Sequence, residues 1–273
     1  MDGICDHPGV EPALLPLALI VGIGLASGVL SSLAGAGGAT LSTAGVRAAG
    51  ATPTLAVGST LPAVLPSAVA GSFRYARAGL VDWRVGLTTG GAGALFAVAG
   101  AIASSQVDAR LLMVACSVIL AASGVGLLRS YRRSATAPDA EVAEVATRMP
   151  SIAALAAVGA VSGFVAGLLG LGGGLIVVPA FTRLLRMPLR SAIGSSLVAV
   201  AMLSIPAVVA HSLFGQVDWL LALALIVGVV PGARLGSRLA VTASEATVAT
   251  VCGVVLVALA LVQAITEVSS LLG

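Results

Sequence analysis

Two runs rich in glycine and hydroxyl residues are where this chain could do chemistry. Ser27 to Ala39 reads SGVLSSLAGAGGA, and Ser162 to Gly174 reads SGFVAGLLGLGGG. Gly35, Gly37 and Gly38 in the first run, and Gly170, Gly172, Gly173 and Gly174 in the second, permit backbone angles that side chains resist and let another group approach closely. A helix beginning just after such a break presents unpaired N–H groups and the positive end of its dipole, which seats an anion without any charged side chain. Hydroxyls stand nearby: Thr40 after the first run, Ser59 and Thr60 in GSTL from Gly58, and Ser195 and Ser196 in GSSL from Gly194. Backbone N–H groups and hydroxyls together suit a small oxyanion, so these glycines and hydroxyls are the candidate substrate-binding set.

Each of these features also has a packing explanation. Serine and threonine in apolar helices commonly bond their own backbone or a neighbouring helix. The pairs Gly24 with Gly28, and Gly163 with Gly167, have the spacing of close helix contacts. Asp82 with Trp83, and Asp218 with Trp219, follow short loops, where aspartate caps a helix and indole anchors at an interface. His211 and Gln216 fall at a helix end, where a lone histidine reads as structural, with a gating role as the minor alternative. Cys5, Cys116 and Cys252 have no CxxC spacing and read as small packing residues.

Enzyme chemistry finds little support. GLLGLGGG resembles a nucleotide loop, but no Lys-Ser/Thr pair follows it, and every one of the 14 basic residues is arginine. Two histidines, His7 and His211, form no metal-ligand spacing, and no nucleophile, base and orienting acid occur together. No catalytic residue, metal or cofactor is therefore expected. The net charge of +3 comes from arginines in loops, which argues against a nucleic-acid partner.

The elements that must position these residues belong to a membrane. Hydrophobic residues make up 58% of the chain and charged ones only 9%, against about a quarter charged in soluble proteins. Apolar helices are predicted over 14–33, 56–73, 85–104, 111–128, 152–169, 192–209, 220–238 and 246–265, each close to the length needed to span a bilayer. Shorter apolar pieces over 39–46 and 175–185 follow the glycine breaks. The N-terminus has no basic region of the signal-peptide kind, so the first apolar stretch is expected to be retained.

The chain repeats itself. Gly58 is answered by Gly194, Asp82 by Asp218, Trp83 by Trp219 and Cys116 by Cys252, all 136 residues apart. Related halves with a broken segment at the matching place are the mark of a repeat-built transporter, with its site where the breaks meet. The expected division is an N-terminal half over 1–128, a linker over 129–150 containing RSYRRSATAPDAEVAEVATR, and a C-terminal half over 151–273. If each broken segment turns back, twelve arginines share the linker's face, leaving Arg47 and Arg110 opposite; if it crosses, they divide seven against seven. The positive-inside rule favours the first arrangement. The expectation is an all-α polytopic membrane protein of two inverted-topology repeats, each a glycine-broken hairpin plus three transmembrane helices, with both termini outside and the linker cytoplasmic.

The SGxxxxLxGxGGG type of break, the Gly-Ser-Ser/Thr-Leu segment and the Gly-x-Val-Asp-Trp segment, each in two copies, resemble the TauE/SafE family of membrane permeases, the sulfite exporter family. The resemblance covers nearly the whole chain; Ala39 departs from it, replacing the last glycine of the first run. It implies export of a small sulfur oxyanion such as sulfite or sulfoacetate, without nucleotide hydrolysis, from the inner membrane of a bacterium. The expected partners are the small anion and the lipid bilayer, with a homodimer left open. A non-transporting membrane scaffold and a channel-like anion conductor are the alternatives.

Overall fold

The computed structural model describes residues 14–35, 38–104, 106–107, 109–134, 151–170 and 172–272. Among them are ten helices and no strand. The first half contributes α1 (Leu14–Ala34), α2 (Ala39–Ala48), α3 (Pro53–Arg77), α4 (Trp83–Ser104) and α5 (Ala109–Ser134). The second contributes α6 (Ile152–Leu169), α7 (Gly174–Arg183), α8 (Leu189–Leu213), α9 (Trp219–Thr242) and α10 (Glu245–Leu272). Each half is thus a broken pair followed by three long helices. The helices outrun the predicted spans at several ends, because a helix that has reached the polar boundary keeps its own backbone bonds into water. The helix over 109–134, α5, carries Arg129 through to Ser134, so the first residues assigned to the linker are helical. The remainder of the linker, 135–150, lies outside the described residues.

Local chemistry sets the starts of these helices. Pro53 opens α3, where its missing N–H loses nothing, and the Ser151 side chain accepts from Ala154 N–H at 3.2 Å to cap α6. Asp82 accepts from Val85 N–H at 3.1 Å, and Asp218 from Leu220 and Leu221 N–H at 2.9 and 3.1 Å. The capping role expected for the two aspartates is what they perform, and Trp83 and Trp219 beside them are both exposed. Pro62, Pro66, Pro179, Pro206 and Pro231 sit inside helices, as membrane helices tolerate where neighbours can satisfy the released backbone groups.

Seven of the described helices are long and apolar enough to cross a membrane, and α5 holds a shorter apolar stretch, Val114–Gly126. Large apolar side chains such as Leu95, Val118, Val227 and Leu261 face outward, while Ser27, Ser32, Ser59, Thr60 and Ser195 are fully buried. A surface greasier than its interior is stable only in lipid.

Glycine sets the closest helix contacts. Along α1 and α9, a Cβ on Gly24 or Gly28 would strike Leu225 O or Val229 O, and one on Gly232 or Gly236 would strike Leu25 O or Val29 O. Along α4 and α6, Gly93, Gly159, Gly163 and Gly167 serve in the same way, against Gly159, Thr89, Gly93 and Ala97. Bare backbones can therefore approach where lipid gives no hydrophobic drive between helices. The two pairs correspond: α1 of the first half meets α9 of the second, and α6 of the second meets α4 of the first. The corresponding helices α3 and α8 also touch each other. Gly58 of α3 lies against Gln216 just beyond α8, Gly71 against Leu197, and Tyr75 against Gly194 near the start of α8. Those two helices therefore run antiparallel.

Candidate functional site

Both broken segments fold back on themselves. In the first, Gly45 lies against Ile23, and Ser42 Oγ donates to Ser27 Oγ at 2.8 Å, so α2 returns along α1. In the second, Gly173 lies against Ser162 and Ala166, one to two turns back on α6. The turns need left-handed backbone: Gly35 and Gly38 have φ of 69° and 91°, and Gly170, Gly172 and Gly173 have 65°, 73° and 73°. Gly38 and Gly173 immediately precede α2 and α7, and neither helix start has a side-chain cap. Gly174 is the first residue of α7. Gly37 lies outside the described residues; Thr40 lies within α2, on its first turn.

The two breaks have different surroundings. At the first, Ser27 Oγ donates to Gly38 O, Ser67 Oγ donates to Ser31 Oγ at 3.1 Å, and Gly38 borders both Ser31 and Ser67. Four buried hydroxyls, on Ser27, Ser31, Ser42 and Ser67, thus gather around the turn into α2. At the second, the corresponding ground holds Ala166 and Leu203, and Ser162 bonds its own helix at Val158 O and Gly159 O. The first break is polar and the second mainly apolar.

Each break also leans on the opposite half. Gly35 lies against Val178 of α7 and Ile193 of α8, and Ser196 Oγ donates to Gly35 O at 3.1 Å. Gly170 lies against Val57 of α3. Thr60 takes other partners, donating to Val57 O at 3.1 Å and pairing with Thr43 at 3.0 Å. Ser59 and Ser195 form a reciprocal pair of bonds between halves: Asp218 N–H donates to Ser59 Oγ at 2.8 Å, and Asp82 N–H to Ser195 Oγ at 2.9 Å. A hydroxyl that accepts in this way keeps its own proton to donate.

Beside the second break, a cavity of about 30 Å³ opens between Thr43, Thr54, Cys116, Leu169, His211 and Gln216. That is space for a water or two. His211 is buried, with Nδ1 2.6 Å from Gln216 Oε1 and Nε2 3.2 Å from Gly167 O. No carboxylate, lysine or arginine side chain is buried among the described residues. Nor do the described residues contain a cluster of histidine, cysteine and carboxylates able to hold a metal.

The model of the family described as Sulfite exporter TauE/SafE matches residues 20–262, which takes in both glycine breaks and all ten helices in whole or part. The chain belongs to the TauE/SafE family. Among its relatives, a probable membrane transporter protein of Xylella fastidiosa (strain 9a5c) is 33% identical over 249 residues, spanning 90% of this chain and 94% of the relative. The probable membrane transporter protein YunE of Bacillus subtilis (strain 168) is 25% identical over 263 residues, spanning 89% and 95% respectively. A third, MJ0441 of Methanocaldococcus jannaschii, also named a probable membrane transporter protein, is 22% identical over 249 residues, spanning 83% and 86%. No solved structure matches the chain. With its apolar helices and inward-facing hydroxyls, this TauE/SafE member is an integral membrane protein of a transporter family.

Within that frame, the fold brings Ser196 to Gly35, and places Gly170 against α3 three residues before Thr60. Two residues of consequence were not legible in the sequence. Ser67 and Tyr75 lie on α3, 29 and 37 residues beyond Gly38, and their place beside α1 depends on tertiary packing. A partial signal did exist for Tyr75: it stands four residues before Gly79, as His211 stands four before Gly215.

Proposed function

We propose that this protein is a secondary transporter that moves a small sulfur-containing anion, sulfite or an organosulfonate such as sulfoacetate, outward by alternating access. The observation that carries the reading is the turn into α2, where an uncapped helix start meets Ser27, Ser31, Ser42 and Ser67 with no buried carboxylate nearby. The helix N–H groups and the Ser31 proton, the one left over when Ser27, Ser42 and Ser67 donate to Gly38 O, Ser27 Oγ and Ser31 Oγ, suit an oxyanion while adding no fixed charge that would trap it. The family match, whose description names sulfite export, supports the substrate class. In this reading Gly35, Gly37, Gly38, Gly170, Gly172, Gly173 and Gly174 shape the two turns, Thr40 and the protons of Ser59 and Ser195 serve as donors, and Thr60 and Ser196 join them by exchanging their bonds to Val57 O and Gly35 O for the anion.

The halves are read as inverted repeats. The antiparallel course of α3 and α8 and the exchange of partners between α1–α9 and α6–α4 support an axis lying in the membrane plane. With both hairpins turned back, the linker face gathers Arg74, Arg77, Arg129, Arg183, Arg186, Arg190, Arg234 and Arg238, which favours a cytoplasmic linker face with both termini outside.

Thermal unfolding of the detergent-purified protein against a panel of small anions tests the assignment. A ligand that binds only the folded state stabilises it by about 2.7 kcal/mol at a hundred times its Kd. Sulfite or a sulfonate is expected to raise the unfolding temperature, and Gly38→Val and Gly172→Val to abolish both that shift and flux in proteoliposomes. Full flux in both valine variants would remove the glycine turns from the site. A folded wild type that no anion stabilises would count against the substrate class.

A further inference from the structure

The repeat lets every residue on one face be compared with its counterpart on the other. His211 and Tyr75 are counterparts, at the same 136-residue spacing as Gly194 and Gly58. Their bonds are counterparts too. Tyr75 Oη donates to Ser32 O at 2.9 Å, and His211 Nε2 faces Gly167 O at 3.2 Å; Ser32 and Gly167 stand at matching places in the two glycine runs. Their settings differ. Around His211, Val57, Leu112 and Gln216 are half-buried and border the cavity. Around Tyr75, the counterparts of Val57 and Leu112 are Ile193 and Val248, exposed by only 1% and 2% and packed with Tyr75 and Cys252 in one apolar cluster; Cys116, also buried, reaches that cluster from the cavity side. The phenol fills on the linker face what stays partly open on the face of His211.

A cavity on one face whose counterpart on the other is filled is what a protein of two related halves with two alternating states should show. We propose that Tyr75 closes the linker-face end of the solute path, and that the water-sized space beside His211 marks the opposite end, which widens to admit a small oxyanion. This rests on the transport reading above. At the entry, the Thr54 hydroxyl and the Gln216 amide N–H supply donors, while the two ring nitrogens of His211 are held against Gln216 Oε1 and Gly167 O. In the second state Tyr75 leaves Ser32 O, a cavity opens beside Cys252, and the gap beside Cys116 fills.

The chain's own thiols report this exchange. In a Cys5→Ser background, Cys116 and Cys252 are the remaining cysteines of three, the first lining the His211 cavity and the second packed in the apolar cluster of Tyr75. Reaction with methyl methanethiosulfonate, followed thiol by thiol by peptide mass, reads their exposure. Cys116 is expected to react about tenfold faster than Cys252 in the parent protein, as a thiol beside an open space should relative to one reached only through local opening. Tyr75→Ala should invert that order, speeding Cys252 and slowing Cys116. Tyr75→Phe, which keeps the ring and loses only the bond to Ser32 O, should speed Cys252 to a smaller degree. Unchanged Cys252 rates in both variants, or equal acceleration of both thiols, would overturn the gate. Sulfite flux measured on the same proteoliposomes separates the two readings. An inverted order without sulfite flux keeps the gate and rejects that cargo; saturable flux without inversion keeps the cargo and rejects the gate.

Discussion

Ser59 and Ser195 each accept a backbone N–H from the opposite half, and the donors, Asp218 and Asp82, each open a helix. Removing such an acceptor leaves a part-buried donor unpaired, at a cost of about 1–2 kcal/mol. Ser59→Ala and Ser195→Ala should each lower the unfolding temperature in detergent, and the double variant should lower it by about the sum, since the two bonds share no partner. Both serines were legible through the repeated Gly-Ser motif, and Asp82 and Asp218 through the repeated Val-Asp-Trp. Nothing in the sequence joins the two motifs, because the bonds connect residues 159 and 113 positions apart. Ser67 illustrates the same limit. One hydroxyl among many on an apolar helix acquires meaning only when packing brings it to Ser31.

Helix pairs in this fold depend on where glycine falls along α1, α4, α6 and α9. A Cβ added at Gly22 would meet nothing within 4 Å, whereas a Cβ on Gly28 would run into the backbone of Val229 and Ala233. The same substitution should therefore have opposite signs on one helix. Gly22→Ala should stabilise by up to about 1 kcal/mol through helix propensity alone, while Gly28→Ala should destabilise by about 1–3 kcal/mol through overpacking. Denaturant titration of the two variants side by side checks both. Helix existence was legible because long apolar runs between polar turns leave few alternatives in lipid. The ends were less legible: α5 passes Leu128, where the apolar run stops, because arginine is a good helix former and the backbone ladder continues through Arg129 to Ser134.

At the scale of the molecule, arginine placement and hairpin geometry lead to one proposed arrangement, with residue 140 in the cytoplasm and the C-terminus outside. Alkaline phosphatase fused after residue 273 should be active in cells and inactive when fused at residue 140; the reverse pattern would refute the proposed orientation, and activity at both sites would refute the inversion itself. The repeat was visible in sequence because its markers, glycine, tryptophan and aspartate, have specific geometric jobs. The difference between its halves was not visible, because hydroxyl at Ser31 and methyl at Ala166 only become polar and apolar ground once both turns are built. The interior has a further consequence. With no buried carboxylate, lysine or arginine side chain among the described residues, a protein rearranging as proposed carries little fixed charge of its own through the membrane field. About 2.3 kcal/mol per elementary charge per 100 mV then acts almost wholly on the travelling anion and any ion that accompanies it. An inside-negative membrane voltage would push such an anion outward, so the cell's resting polarisation could by itself supply the driving force for export.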